Sequence, residues 1–272
     1  MPELPEVETI AVELRQALIG VVIKDVVIRR TDFIRTKPRN LAARLRGKKI
    51  KTIEREGKRL QVKLAGDLEC VIHLGMSGRV TLENPGSPLL PHTHVRIRFA
   101  RFRKELRFRD PRRFGGLWFF DGRNGSARPL SRLGPDALSI RVPVLRAACK
   151  RRRQMKALLL DQQVISGLGN IYCDEALFGA KIHPLCLASD LTEPQVRNLA
   201  CNIRKTLRNA IDSGGSTLRD FVNTDGSEGV FQKIHRVYGR EGQPCPRCQT
   251  PIERIQCAGR STHVCPCCQP WG

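Results

Sequence analysis

The sequence predicts an α+β protein: an antiparallel β-rich segment behind a leading helix, a helical segment, and a small cysteine-dense unit. Three observations predict it. Between about 21 and 120, short runs rich in Val, Ile and Phe alternate with polar residues, which is the pattern of an antiparallel sandwich or barrel. From 142 to 213 apolar residues recur at helical spacing. Near the C-terminal end stand two CxxC pairs. The 272 residues suffice for two domains with cores of their own.

The elements follow in order. Val7, Ile10, Ala11, Leu14, Ala17 and Leu18 mark the leading helix. Pro5 suits its first turn, Glu6 and Glu8 favour its positive start, and Gly20 stops it. Strands are expected at Val21–Ile28, Lys49–Ile53, Leu60–Leu64, Leu68–Leu74, Val95–Phe99, Leu106–Phe108 and Leu117–Phe120, with a hairpin tip at Glu56-Gly57-Lys58-Arg59. Asp121–Ala127 and Gly134-Pro135 bound a linker. Helices are expected at Val142–Lys150, Gln154–Leu160, Gly169–Leu177 and Glu193–Ser213. Thr192 caps the last, whose apolar face is Val196, Leu199, Ile203, Leu207 and Ile211. Residues 214–230, rich in Gly, Ser and Asp, read as a mobile loop. The expected domains are 1–131, 132–230 and 231–272.

Charge narrows the function. Lys and Arg number 48 against 26 acidic residues, a formal net charge of +22. A solvated surface can carry such an excess, but it is more often the footprint of a polyanion, here nucleic acid. Basic stretches recur near 29–55, 96–113, 146–153, 197–208 and 254–260, so the polyanion is expected to lie across a folded surface. The ordinary hydrophobic content, 40%, excludes a disordered chain. No segment reaches the roughly 18 apolar residues of a membrane span. Met1–Glu6 is neither basic nor apolar, unlike a secretory signal. An intracellular, cytoplasmic protein is therefore expected, and its 11 cysteines read as thiols or metal ligands before disulfides.

Cys245-x2-Cys248 and Cys265-x2-Cys268, 16 residues apart, can present four thiolates to one structural Zn²⁺. Four thiolates close the coordination shell, so the metal serves folding rather than catalysis. Cys257 and Cys267 are spare; Cys267 competes with a neighbour, but the 265/268 register matches the 245/248 spacing. Arg254 and Arg260 lie between the pairs, as solvated surface or as phosphate contacts.

Position 2 is Pro. A small residue there permits removal of Met1, which exposes a secondary amine. An α-amine titrates near roughly 7.7–8, so part of it is neutral and nucleophilic at neutral pH. Such an amine can attack a glycosidic or aldehydic carbon and form an iminium ion, the Schiff-base chemistry usually supplied by lysine. Glu3 and Glu6 stand close by for proton transfer. On spacing alone, however, Pro and Glu here are ordinary helix-start residues.

The string Pro2-Glu3-Leu4-Pro5-Glu6-Val7-Glu8 resembles the N-terminus of the formamidopyrimidine-DNA glycosylase family. His73–Arg79 (HLGMSGR), Asp110–Gly115 (DPRRFG), Gly167–Tyr172 (GLGNIY) with Asp174-Glu175, and Val237–Arg240 (VYGR) resemble further family motifs, in family order and over essentially the whole length. The resemblance implies a β-sandwich, a helix–two-turn–helix element and a zinc finger. It implies that Pro2 attacks C1′ of a damaged nucleotide, that Glu3 protonates the sugar ring oxygen, that Glu6 helps hold the site, and that Lys58 contacts the neighbouring phosphate. Met76, Arg112 and Phe114 would fill the gap left by an everted base; by themselves they read as core packing and surface charge. His92, Asn170, Tyr238 and Arg260 would contact DNA, Asn170 from a helix start that favours phosphate. Glu175 would lie near the reaction centre. Ser213–Gly229 would close over the base, with Thr217 and Arg219 contributing. Arg219 and Thr93 depart from the family pattern.

The implied enzyme removes 8-oxoguanine or formamidopyrimidines from duplex DNA and cleaves the strand by β,δ-elimination, as a monomer at the nucleoid of a bacterium. Two other readings are a related endonuclease preferring oxidised pyrimidines, against which Leu4, Met76 and Phe114 speak, and a non-catalytic zinc protein that binds DNA.

Overall fold

A computed structural model describes residues 1–36, 39–122 and 132–271. The chain divides into two compact units, Met1–Ser131 with Gly214–Val230, and Arg132–Ser213 with Phe231–Gly272. Residues 214–230 thus pack with the first unit rather than with the helices that flank them in sequence.

The first unit is a sandwich. Helix α1 (Leu4–Leu18) is followed by β1 (Val22–Ile28), α2 (Leu41–Leu45), β2 (Ile50–Glu56), β3 (Arg59–Leu64), β4 (Leu68–His73), β5 (Arg79–Glu83), β6 (Thr93–Ala100), β7 (Glu105–Arg109) and β8 (Gly116–Asp121). The strands form two four-stranded sheets, ordered β1-β6-β7-β5 and β2-β3-β4-β8. Every pairing is antiparallel. One core joins them: Ile23 and Phe108 from one sheet, Ile53, Leu60 and Ile72 from the other, and Val7, Ile10, Ala11 and Leu14 of α1. The sandwich-or-barrel alternative therefore resolves to a sandwich.

All seven expected strands are present, most a residue or two longer. Strand β5 and the five-residue α2 are not among the expected elements. Arg79-Val80-Thr81-Leu82-Glu83 does alternate, with Val80 and Leu82 buried, but its first residue also ends the HLGMSGR motif, which masks the start of the strand. Gly57 and Lys58 alone join β2 to β3, with Glu56 paired to Arg59. Gly57 takes φ 59°, the positive angle that a two-residue hairpin demands of its first turn residue.

Residues 214–230 are tied to the unit at several points, not left as a free loop. Ser216 pairs with Val230, Phe221 enters the sandwich core, and Leu82 N–H donates to Thr224 O at 2.7 Å. Their Gly and Asp content reflects turn chemistry: Gly214, Gly215 and Gly226 take positive φ, and Asp225 accepts from Ser227 N–H at 2.8 Å. Of the expected linker at 121–127, Asp121 ends β8, and 123–127 lie outside the described residues.

The second unit contains α3 (Val142–Cys149), α4 (Met155–Leu160), α5 (Asn170–Ala180), α6 (Glu193–Asp212) and the hairpin β9 (Glu253–Cys257) with β10 (Arg260–Val264). Helix α6 is amphipathic, with Val196, Leu199, Ile203 and Leu207 fully buried; at its end Ala210 rather than Ile211 completes the buried face. Thr192 and Gln195 form its capping box. Helix α5 is different: every residue after Asn170 is buried, including Asp174 and Glu175. A helix buried all round must partner its charges internally.

Candidate active site, wedge loops and metal centre

The site starts at the N-terminus of α1. Glu3 is its N-cap, and Glu6 sits in its first turn. Both carboxylates are buried, at 3% and 1% exposure. Glu6 is held at both oxygens by main-chain donors: Oε2 accepts from Glu3 N–H and Oε1 from Ser216 N–H, each at 2.8 Å. That close approach needs glycine at 215, because a Cβ there would lie 2.9 Å from Glu6 Oε1. Pro2 is buried beside this pair in sequence, while Met1 is exposed. Helix α1 reaches the β2–β3 turn through one side chain. Arg55 donates to Glu8 at 2.6 Å and to Gly57 O at 3.1 Å, so the turn carrying Lys58 is tied to the second turn of α1.

Lys58 and the two expected wedge loops leave the same end of the second sheet. Arg59 pairs with His73, and His73 with Gly116. The loop 74–78 follows His73, and 110–115 precedes Gly116. They lie in main-chain contact: a Cβ on Gly75 would come within 2.4 Å of Gly115 N. Asp110, fully buried, joins them by accepting from Ser77 Oγ at 2.6 Å and from Gly115 N–H at 2.8 Å. Arg35 holds the outer loop from outside, donating to Arg113 O at 3.0 Å and Gly115 O at 2.7 Å. On this frame Phe114 is 55% exposed and Met76 39%. The Arg112 guanidinium lies 4.8 Å above the Phe114 ring. Neither apolar side chain is core packing. Arg29, Arg30, His92 and Arg113 line a groove of about 520 Å³ that also takes in Pro111 of the second loop. Thr93 closes a local turn, donating to Leu90 O at 2.8 Å. Burial, reinforced by the neighbouring Arg59 and Lys58 charges, pushes His73 down to about 4.

In the second unit, Asn170 begins α5 and donates through Nδ2 to Ser261 O at 2.9 Å. Four residues on, Asp174 forms a buried pair with Lys156 at 2.6 Å. Lys156 also donates to Thr262 Oγ1 at 2.7 Å, and Asp174 accepts from His263 N–H at 2.9 Å. Strand β10 is thereby fixed along the start of α5. Glu175 plays a structural part, because its Oε1 accepts from the main-chain N–H groups of Arg236, Val237 and Tyr238 at 2.9–3.0 Å. Every one of these donors belongs to the segment leading into the finger, so Glu175 shapes that segment, which the resemblance alone did not suggest. Tyr238 packs edge-on against His263 at 5.0 Å. Arg260 is exposed at the β9–β10 tip, where Ala258 and Gly259 both take positive φ.

The sulfurs of Cys245, Cys248, Cys265 and Cys268 lie within 4.8 Å of one another. Tetrahedral Zn–S bonds of about 2.3 Å place ligand sulfurs about 3.8 Å apart. Cys245–Cys268, Cys248–Cys265 and Cys248–Cys268 stand at 3.9, 3.4 and 3.5 Å, which fits one zinc ion. Main-chain N–H groups of Arg247 and Cys268 point at the sulfurs of Cys245 and Cys265, each at 3.4 Å, which suits thiolates. Cys267 is exposed and outside the cluster; Cys257 is buried against Gln154 and Pro184 O. Arg247 and Gln269 fasten the two CxxC turns to the end of α5 and the residues after it, donating to Phe178 O at 2.9 Å and Ile182 O at 2.8 Å.

The sequence reading missed Arg35 and Lys156, and it quoted Asp110 and Asp174 within motifs without their roles. For Lys156 a signal existed, because a charge inside Met155–Leu160 is out of place unless paired.

Comparisons with known proteins agree along the chain. Residues 1–117 match the formamidopyrimidine-DNA glycosylase N-terminal domain, 133–222 its H2TH domain, and 242–270 the zinc finger found in FPG and IleRS. The formamidopyrimidine-DNA glycosylase of Geobacillus kaustophilus is 45% identical over 275 residues, covering 99% of this chain and all of the relative. Lactococcus lactis Fpg, solved with DNA containing an abasic site, superposes with a TM-score of 0.91 at 33% identity over 99% of this chain and 100% of that one. MutM, solved with DNA containing carbocyclic 8-oxo-G, gives 0.89 at 35% identity over 99% of this chain and 100% of that one. With 45% identity sustained from end to end, and the N-terminal, H2TH and zinc-finger models matched in order along it, this chain belongs to the formamidopyrimidine-DNA glycosylase family.

Proposed function

We propose that the chain excises oxidised purines from duplex DNA and then cleaves the strand, with Pro2 as nucleophile. The observation that carries the reading is the buried carboxylate pair at the start of α1, where Glu6 is fixed at both oxygens by main-chain donors. Removal of Met1 frees the Pro2 secondary amine. Its lone pair attacks C1′ as the bond from C1′ to the base breaks; the base leaves with the electrons of that bond and takes up the proton that the Pro2 nitrogen loses. Glu3 donates a proton to the ring oxygen as the sugar opens, leaving an iminium ion between Pro2 and C1′. Loss of the proton at C2′ then expels the 3′ phosphate, and a second elimination expels the 5′ phosphate. Glu6 supports the helix start, and Lys58 holds the phosphate beside the lesion.

A base attacked in this way must leave the stack. Met76 and Phe114 offset the lost stacking, and Arg112 offers hydrogen bonds to the orphaned partner. His92, Asn170, Tyr238 and Arg260 contact DNA, chiefly its phosphates. In this reading residues 1–131 carry the chemistry, 132–230 the helical contacts and the cover over the everted base, and 231–272 the finger contacts. The zinc, when bound, cross-links the finger and takes no part in bond breaking. The two relatives solved with DNA carrying an abasic site and 8-oxo-G support the substrate class. The protein acts as a monomer at the bacterial nucleoid.

Borohydride added during turnover of an 8-oxoguanine duplex is expected to trap a covalent protein–DNA adduct. Pro2→Gly, or retention of Met1, should slow or abolish trapping. An adduct formed at unchanged rate by Pro2→Gly sinks the mechanism. Faster excision of thymine glycol than of 8-oxoguanine would assign the chain to the pyrimidine-preferring relatives.

A further inference from the structure

Helix α1 carries a second carboxylate toward the 214–230 segment, seven residues after Glu6. Glu13 Oε2 accepts from Thr224 N–H at 2.8 Å and from Thr224 Oγ1–H at 2.6 Å. Glu6 holds the other end of the segment through Ser216 N–H. Two carboxylates on one helix thus grip the segment at residues 216 and 224. Further ties gather near the Glu13 end: Thr224 O accepts from Leu82 N–H of β5, Asp220 approaches Arg79 at 3.7 Å, and Phe221 is buried in the core. Between the grips, Leu218 and Arg219 are exposed.

We propose that Glu13 is a positioning residue for base excision: by holding Thr224 it presents residues 217–223 in one conformation. The inference rests on the proposed function, in which this segment covers the everted base. Ordering a loop during binding costs conformational entropy for each residue fixed. A loop already fastened at both ends avoids that cost when substrate arrives. Hydrogen bonds to an ionised carboxylate are the stronger kind, and Thr224 gives Glu13 two. Glu13 touches no reacting atom in this scheme and acts through the segment alone.

The role separates two activities of one protein. Excision of 8-oxoguanine needs the base covered; strand cleavage at a preformed abasic site has no base to cover. Glu13→Ala is expected to lower kcat for excision about tenfold, the equivalent of roughly 1.4 kcal/mol, with KM for the duplex little changed. Cleavage and borohydride trapping at an abasic duplex should stay within about twofold of the parent protein, since the loss is confined to the tenfold arm. Glu13→Gln keeps an acceptor oxygen and should recover most of the lost rate, and hydrogen exchange at 217–224 should quicken in Glu13→Ala. Thr224→Val removes only the 2.6 Å hydroxyl bond and should show the same split at smaller size, which keeps the test open if Glu13→Ala does not fold. Equal losses on both substrates, or none on either, overturn the role of Glu13. If the parent protein itself neither excises nor traps, the functional reading fails instead.

Discussion

Single buried carboxylates set the geometry of this molecule, and each does so by accepting main-chain N–H groups. Glu6, Asp110 and Glu175 accept such donors from Glu3 and Ser216, from Gly115, and from residues 236–238. A carboxylate in that state satisfies donors that would otherwise be buried unpaired. His73 works the opposite way, because burial and the neighbouring Arg59 and Lys58 hold its ring neutral down to about pH 4. The unfolded chain takes up that proton near about 6.5. Between about 4 and 6.5 the unfolded state therefore binds more protons, so stability is lost as pH falls through this window and is fully present above it. Urea midpoints from pH 4 to 8 should rise up to about 6.5 and then level. His73→Gln should flatten that rise, and an unchanged slope would show that His73 does not supply it.

At the scale of elements, the adjoining loops 74–78 and 110–115 depend on glycine. Gly75 takes φ 66°, and a side chain there would meet the Gly115 nitrogen at 2.4 Å. Gly75→Ala is expected to destabilise the first unit by about 1–3 kcal/mol, through both strain and forced separation of the loops. Thermal unfolding measures the loss, and the Met76 and Phe114 loops should become more susceptible to proteolysis. A variant as stable as the parent would contradict the close contact. Elements of this kind were partly legible in the sequence. Alternation gave the long strands, the 3.6-residue period gave α6, and the CxxC spacing gave the metal centre. Gly57-Lys58 was readable as a turn because a two-residue hairpin restricts its residues. Strand β5 was hidden by the loop motif that precedes it, while α5 was expected at Gly169–Leu177 but, lacking a polar face, gave no sign that it runs on to Ala180. The candidate site was legible only as a family pattern: Pro2, Glu3 and Glu6 look like any helix start until Ser216 is seen to close over Glu6. Arg35 and Glu13 act over 80 and 211 positions of sequence, distances that no local pattern encodes.

At the scale of the whole molecule, the metal and the helical unit form one mechanical system. Lys156, Asp174 and Asn170 fix β10 to the start of α5, and Arg247 and Gln269 fix the cysteine turns to its far end. Chelation of the zinc should therefore do more than melt the finger. Hydrogen exchange is expected to quicken along α5 as well, and metal analysis should find one zinc per chain. Protection of α5 unchanged after complete zinc loss would show the finger to be an independent module. The alternation of the units along the chain has a different consequence. Because 214–230 belongs to the first unit while 132–213 and 231–272 belong to the second, the backbone passes from one unit to the other three times. The gene for this protein is thus not a string of separable cassettes. A fragment ending at 131 would lack Phe221 in its core and Ser216 against Glu6, so an ancestor or an engineer exchanging one unit for another must cut and rejoin at three places, and the first unit cannot be inherited as one unbroken stretch.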